Sequence, residues 1–417
     1  MCSNTHLLYV NCAAARIFAL LINKISFVQS TRTATITLIR QQRHSLRCIV
    51  TVLLAAVLLI QGCALLRPAP GIGDAIKWSS VRGWNQDRHG QAWNALQQSC
   101  TRLASRDADW ERICLHAAEL PSPDDDTARQ FFQTHFTPHR VYGKTRRQEA
   151  LFTGYYEPLL RGSLEPSARY RYPLYARPDD LLTIDLRGLY PQLEGKRIRG
   201  RVVGRRVVPY YSRQDLDDDT SLLSGNELLW VDDETALFFL HVQGSGRVRM
   251  TDGDILKVAY ADQNGHPYVA IGKTLVDLGE LSLDEVNLFS IRDWLRSYPE
   301  RARSILHSNP SYVFFTAHQS DGSGPIGAFQ VPLSVGRSIA VDPAVIPLGT
   351  PVWIDTRYPG DERRLQRLLL AQDTGGAIRG PLRADIFWGH GDDAEQLAGN
   401  MKQSGEIIVL LPKRPND

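Results

Sequence analysis

What this 417-residue chain lacks narrows its chemistry before any motif is read. Residues 1–62 contain no aspartate or glutamate, although Arg16, Lys24, Arg32, Arg40, Arg43 and Arg47 fall there. The formal net charge of +3 therefore belongs to the front; without those six, 42 basic residues face 45 acids and the remainder carries about −3. A body of that charge has no electrostatic reason to hold nucleic acid, and none is expected as a partner. Methionine is scarce too: after Met1 the next is Met250. Residues 1–42 look neither like a domain nor like a second signal, and a start at a non-Met codon near Leu46 is the expectation.

Long apolar runs are missing. The run Ile49–Ile60 has twelve residues, short of the roughly 20 that a bilayer core requires. With Arg43 and Arg47 before it and Gln61-Gly62-Cys63 after it, the stretch reads as a secretory signal. The small residue before Cys63 resembles the bacterial lipobox, in which the cysteine is diacylated and becomes the new N-terminus. A plain secretory signal with an incidental cysteine is the alternative. Of six cysteines, Cys2, Cys12 and Cys48 would leave with the leader and Cys63 would carry lipid. That leaves Cys100 and Cys114, which in an oxidising compartment suggest a disulfide between two short helices; two separately buried thiols are the bland alternative. Metal-ligand spacing is absent, since His135 and His139 lack both a third ligand and an HExxH glutamate. A serine nucleophile is not expected either, because HVQGSG lacks the flanks of G-x-S-x-G. No cofactor is expected.

What is present is an ordinary globular composition, 43% hydrophobic and 22% charged, with room for two domains. Pro68–Gly73 reads as a tether. Residues 84–137 read as helical, with Trp93, Leu96, Cys100 and Leu103 at i, i+3, i+7 and i+10. From Leu151 the chain turns to short apolar runs broken by Gly, Pro and Asp, including a hairpin around Thr251–Asp254. Ser282–Glu285 reads as a capping box that opens a helix through Ile291, Trp294 and Leu295. Strands return after Pro310, with one helix, DDAEQLAGNMK, between the last two. No solenoid repeat occurs. The expected class is mainly β with helices (α+β), with a β-barrel candidate in the C-terminal third and a second β-rich unit in the middle.

The chemistry concentrates in AQDTGGAIRGPLRADIFWG, residues 371–389. Asp373 and Asp385 each end or interrupt a run of strand residues beside a glycine-rich turn, where glycine lets backbone or ligand approach closely. Ile386, Phe387 and Trp388 make the surroundings of Asp385 apolar, which raises a carboxyl pKa and suits it to donate a proton near neutral pH. Trp388 is read either as a platform for a sugar ring or as core. Asp342, in RSIAVDPAVIPLGT, precedes a similar turn. Backbone capping is the bland reading of any one of these acids.

With these stretches in hand, the sequence resembles the 3D domain, named for three aspartates, here Asp342, Asp373 and Asp385. LFTGYYEP (151–158), HVQGSG (241–246), YADQNGHPYVAIGK (260–273) and NPSYVFF (309–315) look like further motifs of the membrane-bound lytic murein transglycosylase A family. The resemblance runs from about Trp84 to Pro412. It implies a double-psi β-barrel domain from 84–156 and 309–417, with the 3D region at about 330–412. A smaller β-rich substrate-binding domain, 157–308, would be inserted, leaving a groove between the two. Residues 1–62 would be extension and signal, and 63–83 lipid anchor and tether. It also implies a lipid-anchored protein at the periplasmic face of a Gram-negative outer membrane. Its substrate would be peptidoglycan glycan strands, and other cell-wall enzymes are candidate partners.

The implied reaction breaks the β-1,4 bond from MurNAc to GlcNAc and leaves a 1,6-anhydro ring on MurNAc. Asp385 is the implied catalytic residue, acting as acid and then base. Asp373, Gly375 and Gly376 are read as shaping the loop, and Asp342 as support. Thr153, Tyr155, Tyr156, Gln243, Gly244 and Ser245 are the implied substrate-binding residues, since sugars present C–H faces and a rim of hydroxyls. From the residues alone two rivals stay open. One is a hydrolase using Asp373 and Asp385 as an acid pair; the other is a non-catalytic glycan-binding lipoprotein.

Overall fold

Trp93, Leu96 and Leu103 recur at helical spacing and are all buried. They open a front of three helices, α1 (Trp93–Leu103), α2 (Ala108–Ala118) and α3 (Asp125–His135). Asp107 and Asp124 accept the N–H groups of Trp110 and Thr127 and so cap α2 and α3. Cys100 of α1 is bonded to Cys114 of α2, with the Cα atoms 5.4 Å apart. This computed structural model describes residues 70–143, 149–193, 196, 198–320 and 322–413. The expected leader, Cys63 and the first part of the tether lie outside them. Among the described residues no helix is long and apolar enough to cross a membrane.

The larger sheet has eight strands in the order β1 (Gly71–Ala75), β2 (Phe136–Tyr142), β17 (Lys402–Pro412), β14 (Pro351–Arg357), β15 (Arg364–Asp373), β13 (Ser338–Ala340), β16 (Arg383–His390) and β3 (Ala150–Glu157). Its middle strands are apolar on both faces because both faces are covered. Trp353, Leu368, Leu370, Ile408 and Leu410 pack on the front helices. Their alternate neighbours Val352, Ile354, Leu369, Ala371, Ile407 and Val409 fill a second core with β3, β16 and the last helix.

A second sheet of six strands runs β12 (Val313–Gln319), β11 (Ile255–Gln263), β10 (Ser245–Met250), β4 (Leu159–Ser163), β9 (Glu227–Val231) and β5 (Tyr172–Tyr175). A small third sheet joins β6 (Leu182–Thr183), β7 (Arg199–Val203) and β8 (Arg206–Pro209). The remaining helices are α4 (Arg213–Asp218), α5 (Glu234–Gln243), α6 (Ile271–Asp277), α7 (Leu288–Ser297), α8 (Pro299–His307) and α9 (Asp392–Asn400). The molecule is thus mixed α+β and mostly strand.

Two expectations need adjustment. The sheets are not closed barrels: β17 pairs with β3 through Lys402–Gly405 as well as with β14, but the larger sheet runs on to an open edge at β1, and the six-stranded sheet is open at β12 and β5. The Ser282 box closes only a turn, with Ser282 Oγ donating to Glu285 Oε2 at 2.7 Å. Helix α7 opens at Asn287 instead, whose side chain and that of Ser290 cap each other's backbone N–H. Residues 309–312 lead into β12, which pairs with β11 in the second sheet.

Candidate functional site

The site is assembled at the end of β3, where the chain leaves the larger sheet for the smaller. β16 runs parallel to β3 with Asp385 opposite Thr153, and antiparallel to β13 with Asp385 opposite Ala340. Successive strand residues face opposite ways. On β3, Thr153 and Tyr155 therefore share one face, while Phe152 and Tyr156 enter the core. On β16, Asp385 and Phe387 share the site's face and Ala384, Ile386 and Trp388 enter the core. Gly154 between the two site residues is required by packing: a Cβ there would stand 2.6 Å from Trp388 Nε1 and 2.8 Å from Ala398 Cα of α9.

The three aspartates come out differently. Both oxygens of Asp373 are taken by protein donors: Tyr155 Oη reaches Oδ2 at 2.9 Å, and the N–H groups of Ala328 and Thr374 reach Oδ1, each at 2.9 Å. Both oxygens of Asp342 are also occupied, by Ala344 N–H at 3.1 Å and by Gly380 N–H at 2.6 Å, which ties the β13–β14 loop to the glycine-rich loop. Asp385 accepts the Thr153 hydroxyl on Oδ1 at 2.7 Å. Among the described residues nothing donates to its Oδ2.

The electrostatics follow from that asymmetry. Burial pushes the Asp385 carboxyl up to about 6; Arg383 and the Thr153 hydrogen bond pull it down, and Asp373 adds to the rise. Burial, then the charge and hydrogen bond of Asp373, hold the Tyr155 hydroxyl well above its usual range, so it remains a donor. Arg383 donates to Thr153 Oγ1 at 2.8 Å and to Ala384 O at 2.9 Å. Facing the glycine-rich loop, Tyr268, 37% exposed, places its Cβ 3.7 Å from where a Gly376 Cβ would sit. Desolvation and then the charge of Asp385 hold its hydroxyl above the usual range. The arrangement can present a carboxyl that titrates near pH 6 to a ligand lying between the glycine-rich loop and Tyr268.

The other residues singled out from sequence have more structural tasks. Tyr156 is buried, and its hydroxyl donates to Glu395 of α9 at 2.5 Å while accepting from Arg292 of α7 at 3.1 Å. Gln243 Oε1 accepts the Tyr156 backbone N–H at 3.1 Å, so its amide bridges α5 to β3. Gly244 ends α5 at φ 77°, a left-handed cap that suits glycine. Ser245 is buried as the first residue of β10. Gly375 opens a turn closed by Ile378 N–H. Trp388 is 7% exposed within the core beside Tyr358 and offers no platform to a sugar, because it stands three residues beyond Asp385 and so on the opposite face. Arg383 and Tyr268 were not singled out. Arg383 carries a usable signal, since two residues before Asp385 on a strand is the same face; Tyr268 lies within the 260–273 motif, but only the tertiary fold brings it to Asp385.

Known proteins share this arrangement of sheets. Residues 151–316 match the MltA specific insert domain and residues 337–411 match the 3D domain. A membrane-bound lytic murein transglycosylase A of Vibrio cholerae is 30% identical over 301 residues, which cover 70% of this chain and 72% of that protein. The match to the Escherichia coli relatives of the same name spans 65% of their length. The crystal structure of a membrane-bound lytic murein transglycosylase from Agrobacterium tumefaciens superimposes with TM-score 0.72 at 32% identity, covering 82% of this chain and 98% of that one. The structure of E. coli MltA with bound chitohexaose is similar at TM-score 0.61 and 25% identity, covering 83% of this chain and 96% of that one.

Proposed function

Because the chain belongs to the membrane-bound lytic murein transglycosylase A family, we propose that it cleaves the β-1,4 bond between MurNAc and GlcNAc of peptidoglycan and leaves 1,6-anhydro-MurNAc ends. The observation that supports this most is the contrast among the three aspartates. Asp342 and Asp373 have both oxygens occupied by protein donors, and only Asp385 keeps an oxygen without one among the described residues.

The chemistry then needs one carboxyl. Protonated Asp385 gives its proton to O4 of the departing GlcNAc as the C1–O4 bond breaks. The acetamide oxygen of MurNAc bonds to C1 and carries the developing charge as an oxazolinium. The C6 hydroxyl then attacks C1, the acetamide oxygen departs, and the C6 proton passes to the Asp385 carboxylate. The residue ends as it began and no water is consumed. A pKa of about 6 suits both halves, since the same group must lose and regain a proton near neutral pH. A hydrolase would need a second carboxylate free to activate water or attack C1, and Asp373 is bound on both oxygens.

In this reading Tyr268 and the loop around Gly376 flank the glycan, the second sheet supplies the far wall of the groove, and Cys63 carries the lipid that holds the enzyme at the outer membrane. The test is to incubate residues 64–417 and its Asp385→Asn variant with isolated sacculi and to identify released muropeptides by mass spectrometry. The wild type yields anhydro-MurNAc products. The variant yields them at least about 10³-fold more slowly. Binding without products from the wild type contradicts the reading in favour of a glycan tether.

A further inference from the structure

Asp385 can act only if its proton sits on the oxygen that faces substrate, and one side chain outside the shared aspartates bears on that choice. Arg383 lies two residues earlier on β16, on the same face. Its guanidinium is anchored to the Ala384 carbonyl at 2.9 Å and reaches the Leu151 carbonyl of β3 at 3.4 Å. The other terminal nitrogen donates to Thr153 Oγ1 at 2.8 Å, and Thr153 donates to Asp385 Oδ1 at 2.7 Å. We infer that Arg383 is a positioning residue which, through Thr153, keeps the acidic proton on the outward oxygen of Asp385.

The reasoning is one of donor bookkeeping. Thr153 has a single O–H, and its oxygen is engaged by a cation that disfavours a second proton on that side. The hydroxyl proton is therefore directed to Oδ1, and a proton on Asp385 must sit on Oδ2. The charge of Arg383 also acts directly, by favouring the ionised form of Asp385 against the burial that opposes it. The groups that face Asp385 from each neighbouring element are few. Among the described residues they are Arg383 on its own strand, Thr153 and Tyr155 on β3, Asp373 at the end of β15, and Tyr268 from the segment between β11 and α6. Arg383 is the only cation among them.

The inference rests on the acid role proposed for Asp385, so its test includes a readout that does not need turnover. Asp385 carboxyl titration is followed by ¹³C NMR in the wild type, Arg383→Gln and Arg383→Lys, each checked for folding by circular dichroism. Arg383→Gln raises the titration midpoint by about one pH unit, as expected when an opposite charge at close range is removed. Arg383→Lys keeps it near the wild-type value. On sacculi, the alkaline limb of kcat moves up by the same amount in Arg383→Gln, and kcat falls about tenfold because the proton is no longer confined to Oδ2. Arg383→Lys keeps the limb but recovers only part of kcat. A midpoint unmoved in Arg383→Gln, or moved equally by both variants, overturns the inference. If titration shifts as described while the wild type releases no products, the proposed reaction falls and the electrostatic coupling stands.

Discussion

Asp385 is a carboxyl that the fold holds at a cost. Its pKa in the native state, about 6, lies above the ordinary aspartate value of 3.8. The folded state therefore binds this proton more tightly than the unfolded chain, and stability from this group is complete below pH 3.8 and lost as pH rises through about 6. Asp385→Asn removes that loss. The variant should melt higher than the wild type at pH 7.5, and the difference should shrink below pH 6 and vanish below pH 4, followed by calorimetry across that range. Equal melting temperatures at pH 7.5 would mean that the carboxylate is not desolvated. A more stable but inactive variant is the usual signature of a residue kept for chemistry rather than for packing.

At the scale of elements, α1 and α2 form a helical pair whose link is covalent. Cys100 and Cys114 close a short loop, and cross-linking a loop of this size restricts the unfolded chain by about 3 kcal/mol. Cys100→Ser with Cys114→Ser should lower unfolding stability in denaturant by roughly that amount while leaving the site's geometry and activity in place. Much of this level was legible in the sequence. The helical spacing of Trp93, Leu96 and Leu103, the hairpin at Thr251–Asp254 and the α9 segment all follow from short-range periodicity and turn chemistry.

What was not legible depended on longer range. Ser282 offers the same local signal as Asn287, and only packing of Leu288 and Ile291 against neighbouring cores selects the second as the cap. Of the site, Asp342, Asp373, Asp385, Thr153 and Tyr155 were readable because each lies in a distinctive motif. Trp388 was readable in principle, since strand alternation already assigns it to the core face. Gln243 and Tyr156 had the right place but a different task, bracing the start of the second sheet rather than offering groups to a ligand.

At the scale of the molecule the proposed groove depends on how the two larger sheets are held. The chain crosses from one to the other after Glu157, which is buried and paired with Arg247 of β10 at 3.2 Å. A second brace lies beside it: Arg292 of α7 is paired with Glu395 of α9, and both meet the Tyr156 hydroxyl. This brace joins helices from the two halves over the back of β3. Arg292→Ala leaves Glu395 and Tyr156 without their cation, and should cost about 1.5–3 kcal/mol of stability. It should also raise KM for glycan more than it lowers kcat, because it loosens how the two sheets are held while leaving the face of β3 that carries Thr153, the partner of Asp385, intact. A loss confined to kcat would contradict that division of labour.

The central claim is that one acid, with the sugar's own C6 hydroxyl as nucleophile, breaks the glycan without water. Digestion of sacculi in H₂¹⁸O, with mass spectrometry of the new MurNAc ends, tests it most directly. The account predicts anhydro ends that carry no ¹⁸O. Reducing MurNAc ends labelled with ¹⁸O would show that water attacks C1, and would return Asp373 to consideration as its base.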